Sequence, residues 1–397
     1  MGKMGKGIKI ALAVLMIVSV VGLGFTGCAK EAAAPTTPTT PAKPGSTTPT
    51  TPTTPTTAVT KVKTLKFASA LATTSYLWEP AMLGFKEEVE EKSGGRYKID
   101  YYPSQSLLKI AASLDGLRTG IAEMIGTCSS WHAGFFRMDE IYAIPGFMES
   151  AMQGTVLRNA LFDEFNKPEW DSIGVVEIGG RNTPPYNVFT KSVPIYTVED
   201  FKGLSVRTVY RMEAVLLTDL NAIPVHMPSF DVYESMQKGM IDAATYCPAY
   251  AYQYQIHETG KPGYFSYIGG TGMGPMQRFL NKEFFDNLSQ ADQDMFMELG
   301  DKYFSIMVPT LDDETDIKHA NLMMDYGTQF IWWTDAEMER LNQTYKVPLF
   351  DQWAEEMDAA GYPGSAMVAK LLAIQDAIPL QYPLDPKWAE LKTKAGF

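Results

Sequence analysis

The sequence contains little cysteine and histidine, and the few such residues are scattered along the chain. The three cysteines are Cys28, Cys128 and Cys247. The four histidines are His132, His226, His257 and His319. No CxxC pair and no close His/Cys cluster occurs, and His257 lacks the second histidine four residues later that a zincin helix requires. We therefore predict no metal site and no cofactor.

Motifs of nucleophilic, phosphate and calcium chemistry are also missing. Ser130-Trp-His132 places a hydroxyl near an imidazole, but no G-x-S-x-G elbow accompanies it. Gly269–Gly274 lacks G-x-G-x-x-G spacing, and its glycines are more typical of a hinge. The acidic run Asp312–Asp316 lacks the spacing and glycine of a calcium loop, so we interpret it as a solvated helix face. A non-enzymatic protein is favoured, with an exported hydrolase or lyase as the alternative.

Basic residues are outnumbered by acidic ones. The chain has 34 lysines and arginines against 46 aspartates and glutamates, a formal net charge of −12. Such a protein lacks the basic surface that attracts nucleic acid or anionic lipid, and we predict no nucleic-acid partner. If it binds an anion, its positive charge must be concentrated at a few positions. A disulfide between Cys128 and Cys247 and two unpaired buried thiols both remain open.

The one long apolar run lies at the N-terminus. Ile10–Val21 follows three lysines and is too short for a membrane span, which indicates a secretory signal. The run is followed by Phe25-Thr-Gly-Cys28, which is similar to a bacterial lipobox with Phe25 where leucine is usual. We predict a lipoprotein signal peptide over residues 1–27 and a lipidated Cys28. The alternative is an ordinary signal peptide with a chance cysteine.

Residues 28–60 are rich in alanine, proline and threonine. Such a segment has little to bury and favours extended conformations, so we predict a tether between the lipid anchor and a folded body. The remaining chain is long enough for two lobes with separate cores.

The hydrophobic pattern of this body alternates between strands and helices. It predicts strands over residues 62–69, 97–103, 121–126, 175–178, 204–207 and 240–245. It predicts helices from Pro80 to the Gly94-Gly95 stop, around residues 114–120, and over residues 211–220 and 231–238. From Ser289 the chain is predicted to be largely helical, with capping pairs Ser289/Asp292 and Thr334/Glu337. Strand–helix–strand order at short spacing predicts parallel βαβ units and an α/β fold.

The most informative motif is Asp200-Phe-Lys-Gly-Leu-Ser-Val-Arg207. It resembles the D-x-K-G-L-x-x-R signature of DctP-type substrate-binding proteins of tripartite ATP-independent periplasmic (TRAP) transporters. Further segments resemble the same family in the same order along the chain, namely Glu87–Ile99, Leu117–Met124, Ile144–Phe147, Pro224–Pro228 and Tyr233–Asp242. The resemblance extends over essentially the whole chain from residue 62.

The resemblance implies a two-lobed periplasmic binding protein fold with crossing strands and a central ligand cleft. A C-terminal helical segment is expected to pack across both lobes. We assign residues 61–178 and 271–330 to lobe I, and residues 179–270 and 331–397 to lobe II.

The resemblance also implies a role for two arginines. In the family, the arginine at Arg207 holds the carboxylate of an organic acid, which suits a planar guanidinium with paired donors. The alternative for Arg207 is a surface arginine paired with an acid such as Glu213. Arg181, in Gly179–Thr183, resembles an arginine that some members use as a second contact; it is otherwise a structural arginine where the lobes cross.

Departures from the family pattern concern the ligand. Trp131 stands where members that bind sugar acids carry an arginine, Tyr246 replaces an acid–amide pair, and Tyr210 falls where amides are common. The expected cleft also includes Ser229, Tyr76, Trp78, Tyr186 and Tyr250. Aromatic rings add apolar surface and remove polar partners. We hypothesise a carboxylate with a hydrophobic or aromatic body, or a 2-oxo acid; the alternative is that these rings are core or wall residues.

The expected function is therefore that of an extracytoplasmic solute receptor. It would bind a small carboxylate and deliver it to the membrane subunits of a TRAP permease. Its location would be the periplasm or the outer face of the cytoplasmic membrane, held there by the lipid anchor. A C4-dicarboxylate-type receptor and a sensory protein that presents its ligand to a partner remain alternatives.

Overall fold

The computed structural model describes residues 62–132, 134–146, 148–377 and 384–397. The predicted signal peptide 1–27, the lipidation site Cys28, the tether 28–60 and Phe147 lie outside the described residues. Within the described part of the chain, no helix combines the length and the apolarity needed to cross a bilayer.

The eleven strands of the described residues form two separate sheets. In chain order they are β1 Lys63–Ser69, β2 Tyr97–Tyr102, β3 Met124–Cys128, β4 Val175–Asn182, β5 Asn187–Thr190, β6 Ser205–Thr208, β7 Ile223–His226, β8 Ala243–Tyr246, β9 Tyr264–Tyr267, β10 Pro275–Asn281 and β11 Gln329–Trp332.

The helices surround both sheets. They are α1 Gly84–Lys92, α2 Ile110–Arg118, α3 Ala151–Leu161, α4 Lys167–Ile173, α5 Arg211–Asp219, α6 Val232–Gln237, α7 Pro248–Gln253, α8 Lys282–Asp286, α9 Gln290–Gly300, α10 Val308–Tyr326, α11 Asp335–Leu341, α12 Val347–Ala359, α13 Gly364–Ala377 and α14 Leu384–Lys394.

The first sheet has the order β2-β1-β3-β10-β4, and the second has the order β11-β9-β5-β8-β6-β7. Strand β1 pairs in parallel with β2 and β3, which confirms the predicted βαβ units. In the first sheet β10 runs antiparallel to both β3 and β4. In the second, β6 runs parallel to β7 and β8.

Two crossing segments join the sheets. Strand β4 of the first sheet is followed directly by β5 of the second, and β9 of the second is followed by β10 of the first. The two segments are hydrogen-bonded to each other, with Thr183 N donating to Gly274 O at 2.9 Å and Tyr186 N donating to Gly272 O at 2.8 Å. The chain thus forms two α/β lobes with crossing strands. The glycine-rich segment predicted as a hinge is the second crossing.

The lobe boundaries at residues 178 and 271 stay a prediction. Strand β4 continues the first sheet to Asn182, four residues beyond the predicted end of lobe I. Strand β10 begins at Pro275, just after the predicted return to that lobe.

From Ser289 the chain is largely helical, with β11 as its one strand among the described residues, and it packs against both lobes, as predicted. Helix α10 contacts α3, which precedes β4 of the first sheet, and α7, which follows β8 of the second. Helix α13 packs on α3 and α14 packs on α10. Ser289 and Thr334 accept hydrogen bonds from the backbone N–H groups of Asp292 and Glu337, so both predicted N-caps are confirmed.

One prediction about α10 is wrong. The acidic run Asp312–Asp316 is not a solvated face, because Asp312, Asp313 and Asp316 are all buried. Asp313 accepts hydrogen bonds from Ala151 N at 2.7 Å and Met152 N at 3.0 Å, at the start of α3. Asp316 accepts one from Ala249 N at 2.8 Å, at the start of α7. The carboxylates satisfy otherwise unpaired helix-terminal donors, which explains their burial.

Candidate functional site

A cavity of about 680 Å³, including its mouth, lies where the two sheets and the crossing segments meet. Its polar wall includes Ser69, Arg181, Thr183, Ser229, Gln253 and Arg278. Its aromatic wall includes Trp131, Tyr186, Tyr210, Phe230, Tyr250 and Tyr254. In α/β folds, ligand contacts collect at such crossings between halves.

Arg181 lies at the polar wall near the end of β4. Its guanidinium forms a buried ion pair with Asp312 of α10, and its Nη2 donates to the Tyr250 hydroxyl at 2.9 Å. Burial alone would lower the pKa of Arg181, but the carboxylate of Asp312 and the neighbouring Tyr250 raise it above its ordinary value. Arg181 is therefore a fixed cation whose charge is compensated within the protein.

Arg278 also lines the cavity, from the middle of β10. Only 5% of the residue is exposed, its Nη1 donates to the Gln277 carbonyl at 3.0 Å, and its Nε has no hydrogen-bond partner. Its guanidinium lies 5.1 Å from the centre of the Phe304 ring. Burial and then the positive charge of Arg181 lower the pKa of Arg278 to about 10. The side chain is still charged at neutral pH.

Arg207 lies behind the cavity wall and does not line it. It is fully buried near the end of β6, and its Nε donates to Met227 O at 3.2 Å, its Nη1 to Thr245 O at 3.0 Å and its Nη2 to Ser229 Oγ at 2.9 Å. The ring of Tyr246 lies 4.5 Å from its guanidinium carbon. Ser229 lines the cavity, so its hydroxyl connects Arg207 to the space a ligand would occupy.

The alternative of a surface Arg207 paired with Glu213 does not match this geometry. Glu213 is buried and accepts hydrogen bonds from the hydroxyls of Thr208, Thr245 and Thr271, the last at 2.5 Å. Burial raises the pKa of Glu213 to about 7. The hydrogen-bond acceptors of Arg207 itself are the neutral groups Met227 O, Thr245 O and Ser229 Oγ.

The predicted aromatic residues divide into two groups. Trp131, Tyr186, Tyr210 and Tyr250 line the cavity, whereas Tyr76, Trp78 and Tyr246 are not among its lining residues. Tyr76 donates to Asp312, and Trp78 packs on Tyr101 with ring centres 5.3 Å apart. Tyr246 lies behind the cavity wall, where its ring faces the guanidinium of Arg207 and its hydroxyl donates to Ser229 O at 3.2 Å. The lining rings pack on one another, for example Tyr186 and Tyr210 at 5.6 Å.

Sequence reasoning missed several residues of this site, among them Ser69, Thr183 and Gln253 of the polar wall. Phe230 and Tyr254 extend the aromatic wall, with ring centres 5.6 Å apart. Asp312 was interpreted as solvated, although an acid can be buried if an arginine pairs with it. Arg278 lies in a polar stretch that does not read as a strand, and only its pairing between β3 and β4 brings it to the cavity.

Cys128 and Cys247 are both buried free thiols, and Cys128 lines the cavity. Burial raises the pKa of Cys128 to about 12, so the thiol is not ionised at neutral pH. Among the described residues, no cluster of three or more His, Cys, Asp or Glu side chains is arranged to hold a metal ion.

The sequence model of the family described as "Bacterial extracellular solute-binding protein, family 7" (DctP) matches residues 67–356. The chain belongs to this family. The match begins within β1 and ends within α12, so it includes both sheets and the cavity between them.

Curated members of family 7 resemble this chain at low identity. A solute-binding protein of Albidiferax ferrireducens is 27% identical over 222 residues, which span 54% of this chain and 64% of the relative. The chain thus spans slightly less than two-thirds of that relative. The C4-dicarboxylate-binding periplasmic protein DctP of Rhodobacter capsulatus is 22% identical over 279 residues, 69% of this chain and 82% of the relative.

Solved structures share the fold of this family 7 protein. A marine metagenome TRAP solute-binding protein specific for aromatic acid ligands, solved with 3-hydroxybenzoate, has a TM-score of 0.74 and 20% identity, covering 80% of this chain and 99% of that protein. A TRAP periplasmic solute-binding protein of Sulfitobacter sp. NAS-14.1 was solved with β-D-galacturonate. It has a TM-score of 0.66 and 19% identity, and the match covers 77% of this chain and 98% of that protein. The fold is therefore shared by proteins that hold quite different acids.

Proposed function

We propose that this protein is the extracytoplasmic receptor of a TRAP transporter, which binds an organic acid and delivers it to the membrane permease. The observation that carries the proposal is the concentration of three buried arginines at one cavity of an acidic protein. Only one of them, Arg181, forms an ion pair with a carboxylate among the described residues. A buried guanidinium without a counter-ion is costly, and a bound carboxylate relieves that cost.

Arg207 is the proposed carboxylate contact. An arginine offers five N–H donors, and the three hydrogen bonds of Arg207 leave two without an assigned acceptor. Because Arg207 lies behind the cavity wall, a ligand would reach these donors by displacing the wall at Ser229, the lining residue that contacts Arg207. Ser229, which lies between Arg207 and the cavity, would donate its hydroxyl to the same carboxylate. Because the protein acceptors of Arg207 are neutral, its charge is available to the ligand.

The proposed ligand is a monocarboxylate with a hydrophobic or aromatic body, or a 2-oxo acid. The six rings that line the cavity support this choice, since each buries on the order of 150–250 Å² when enclosed. A sugar acid would leave hydroxyls unpaired against these rings, at about 1–3 kcal/mol each. The name of the Rhodobacter relative favours a second candidate, a C4-dicarboxylate.

Ligand binding would close the two lobes. Arg207 belongs to the second sheet and Arg181 and Arg278 to the first, so a ligand that contacts both sides binds the closed state better than the open one. Such closure would present a ligand-dependent surface to the permease. No catalytic role is proposed, and Cys28 is proposed to anchor the protein outside the cytoplasmic membrane through its lipid.

A thermal-shift screen of the purified protein tests this function. The panel contains short mono- and dicarboxylates, 2-oxo acids, sugar acids, and phenyl- and indole-bearing acids. A ligand at about 100 times its Kd adds about 2.7 kcal/mol of stability, which is readily measured. Shifts confined to the arylalkyl or 2-oxo acids would support the proposed ligand. Tight binding of succinate or malate with weak binding of every arylalkyl acid would support the dicarboxylate instead, and the absence of any shift would contradict the receptor function.

A further inference from the structure

Arg278 is the arginine of the cavity whose charge is least compensated. Arg181 has Asp312, and Arg207 has three neutral acceptors on three different residues. Arg278 has the carbonyl of its own neighbour Gln277 and the face of Phe304, and its Nε is buried without an acceptor. Native proteins seldom leave a buried charged donor unpaired, so the Nε of Arg278 calls for an explanation.

The sheet is shaped around this side chain. Arg278 pairs with Gly126 on β3 and with Gly179 on β4, so both cross-strand neighbours lack a side chain. A Cβ on Gly126 would lie 3.2 Å from both Cδ and Nε of Arg278, and one on Gly179 would lie 2.5 Å from Gly300 O. The first glycine leaves room for the guanidinium, and the second allows the helical segment that carries Phe304 to approach.

The pairing of β10 with β4 also shifts at this position. Arg278 lies opposite Gly179 but Phe279 lies opposite Glu177, which leaves Ile178 as the extra residue of a bulge. Bulges redirect side chains and recur beside binding sites. The Nε of Arg278 lies beside Gly126, close to the hydroxyl of Ser69, and all three residues line the cavity.

We propose that Arg278 binds a second acceptor oxygen of the ligand, located at the opposite end from the carboxylate beside Arg207. The inference rests on the proposed receptor function and adds to it. Arg278 lies on the first sheet and Arg207 on the second, with the cavity between Arg278 and Ser229. The ligand class that satisfies both is an organic acid whose body carries a second anionic or hydrogen-bond-accepting group, such as a hydroxyl or a second carboxylate.

Matched pairs of probes test this directly by calorimetry on the purified protein. The aromatic arm compares phenylacetate with its ring-hydroxylated derivatives and with the phenylenediacetates. The aliphatic arm compares butyrate with succinate. We expect at least one probe with a second acceptor to bind about tenfold or more tightly than its partner without one, a difference of about 1.4 kcal/mol. A preference for the hydroxylated probes indicates a neutral acceptor, and a preference for the diacids indicates an anion.

Arg278→Met should reduce that preference to about twofold or less, because the second acceptor loses its partner, and the affinity of the simple acid should fall by less than that of the probe with two acceptors. Arg278→Lys keeps the charge and should retain part of the preference. The thermal midpoint of the unliganded Met variant should stay equal or rise, since the substitution removes a buried unpaired cation. Arg118→Met, at an exposed arginine of α2, is the matched control and should change neither quantity.

Three results would overturn the inference. The first is equal affinity of the unaltered protein for both members of every probe pair, and the second is a preference for the second acceptor that survives Arg278→Met. The third is a lower thermal midpoint of the unliganded Arg278→Met variant, because Arg278 would then be structural. In each of these cases acids still bind and the receptor function stands. If no acid binds, the receptor function fails and this inference fails with it.

Discussion

Arg181 of β4 and Asp312 of α10 form an ion pair in which the side chains are only 3% and 0% exposed. The pair attaches helix α10 to strand β4, which leads into the first crossing segment. It also neutralises one of the two guanidiniums at the polar wall of the cavity. The second guanidinium, Arg278, forms no ion pair with a carboxylate in the part of the chain that the structure describes, and this asymmetry underlies the specificity that we propose.

Asp312→Asn should lower the free energy of unfolding by about 3–5 kcal/mol, because the guanidinium of Arg181 loses its buried counter-ion. Urea denaturation measures the change. The double variant Arg181→Met/Asp312→Asn should lose less than the sum of the two single variants, since the residues contact each other. Asp325→Asn is the control: its ion pair with Lys394 is exposed, so about 0–1 kcal/mol is expected. A loss below about 1 kcal/mol for Asp312→Asn would refute the structural role of the pair.

Arg207→Ala should weaken binding of the tightest acid of the panel by about 2–4 kcal/mol, because the carboxylate would be desolvated without its charged partner. Calorimetry measures the affinity, and urea denaturation shows separately how much stability the lost hydrogen bonds to Met227 and Thr245 cost. Arg118→Ala, at an exposed arginine, should leave the affinity unchanged. Equal affinity of Arg207→Ala and the unaltered protein would remove Arg207 from the binding site.

Stability should fall as the pH rises from about 4.5 to about 7, and Glu213 is one source of this trend. Burial raises the pKa of Glu213 from 4.5 to about 7, so in this interval the unfolded chain loses a proton that the folded protein retains. The shift corresponds to a penalty of about 3 kcal/mol that is complete above pH 7. Glu213→Gln should therefore be more stable than the unaltered protein at pH 8 and similar at pH 4.5. Denaturation curves at both pH values give the free energy of unfolding of each protein. An equal difference between Glu213→Gln and the unaltered protein at pH 4.5 and at pH 8 would disprove the assignment.

Trp131→Ala should weaken binding of arylalkyl acids by about 1–3 kcal/mol, because the cavity loses a large apolar wall. Trp131→Arg should weaken these acids as well and improve binding of sugar acids, since a guanidinium can pair with their hydroxyls. The thermal-shift panel measures both effects. Tyr196→Ala, at an exposed ring, is the control and should behave like the unaltered protein. If Trp131→Ala binds every arylalkyl acid normally, the aromatic wall does not select the ligand.

Much of the fold could be predicted because its signals are local. Strands β1 and β2 were predicted over residues 62–69 and 97–103, and these bounds agree with the structure to within one residue. The prediction was less accurate for β3, which runs from Met124 to Cys128 rather than over residues 121–126, because Ile121 is exposed and only the pairing with β1 fixes the start. Strands β5, β7, β9, β10 and β11 were not predicted, since four of them have only four residues and β10 includes Gln277 and Arg278.

The candidate site was predicted in part. Arg181, Ser229, Trp131, Tyr186 and Tyr210 were expected at the cleft, and they line the cavity. Arg207 and Tyr246 lie one layer behind the wall, and Tyr76 and Trp78 do not line the cavity, although Tyr76 contacts Asp312. The ligand contacts of all these residues stay predictions. Arg278 was missed because a charged residue in a polar stretch has no periodic signal that could assign it to a cavity.

The resemblance to the family, six of the eleven strands of the described residues and the Arg207 motif could be recognised in the sequence, because they depend on residues near one another in the chain. Which charges are compensated follows from the fold. Asp312 lies 131 residues from Arg181 in the chain, and Gly126 lies 152 residues from Arg278. Desolvation and Coulomb attraction act between neighbours in space, so the same aspartate is costly or stabilising according to the partner that the fold brings to it.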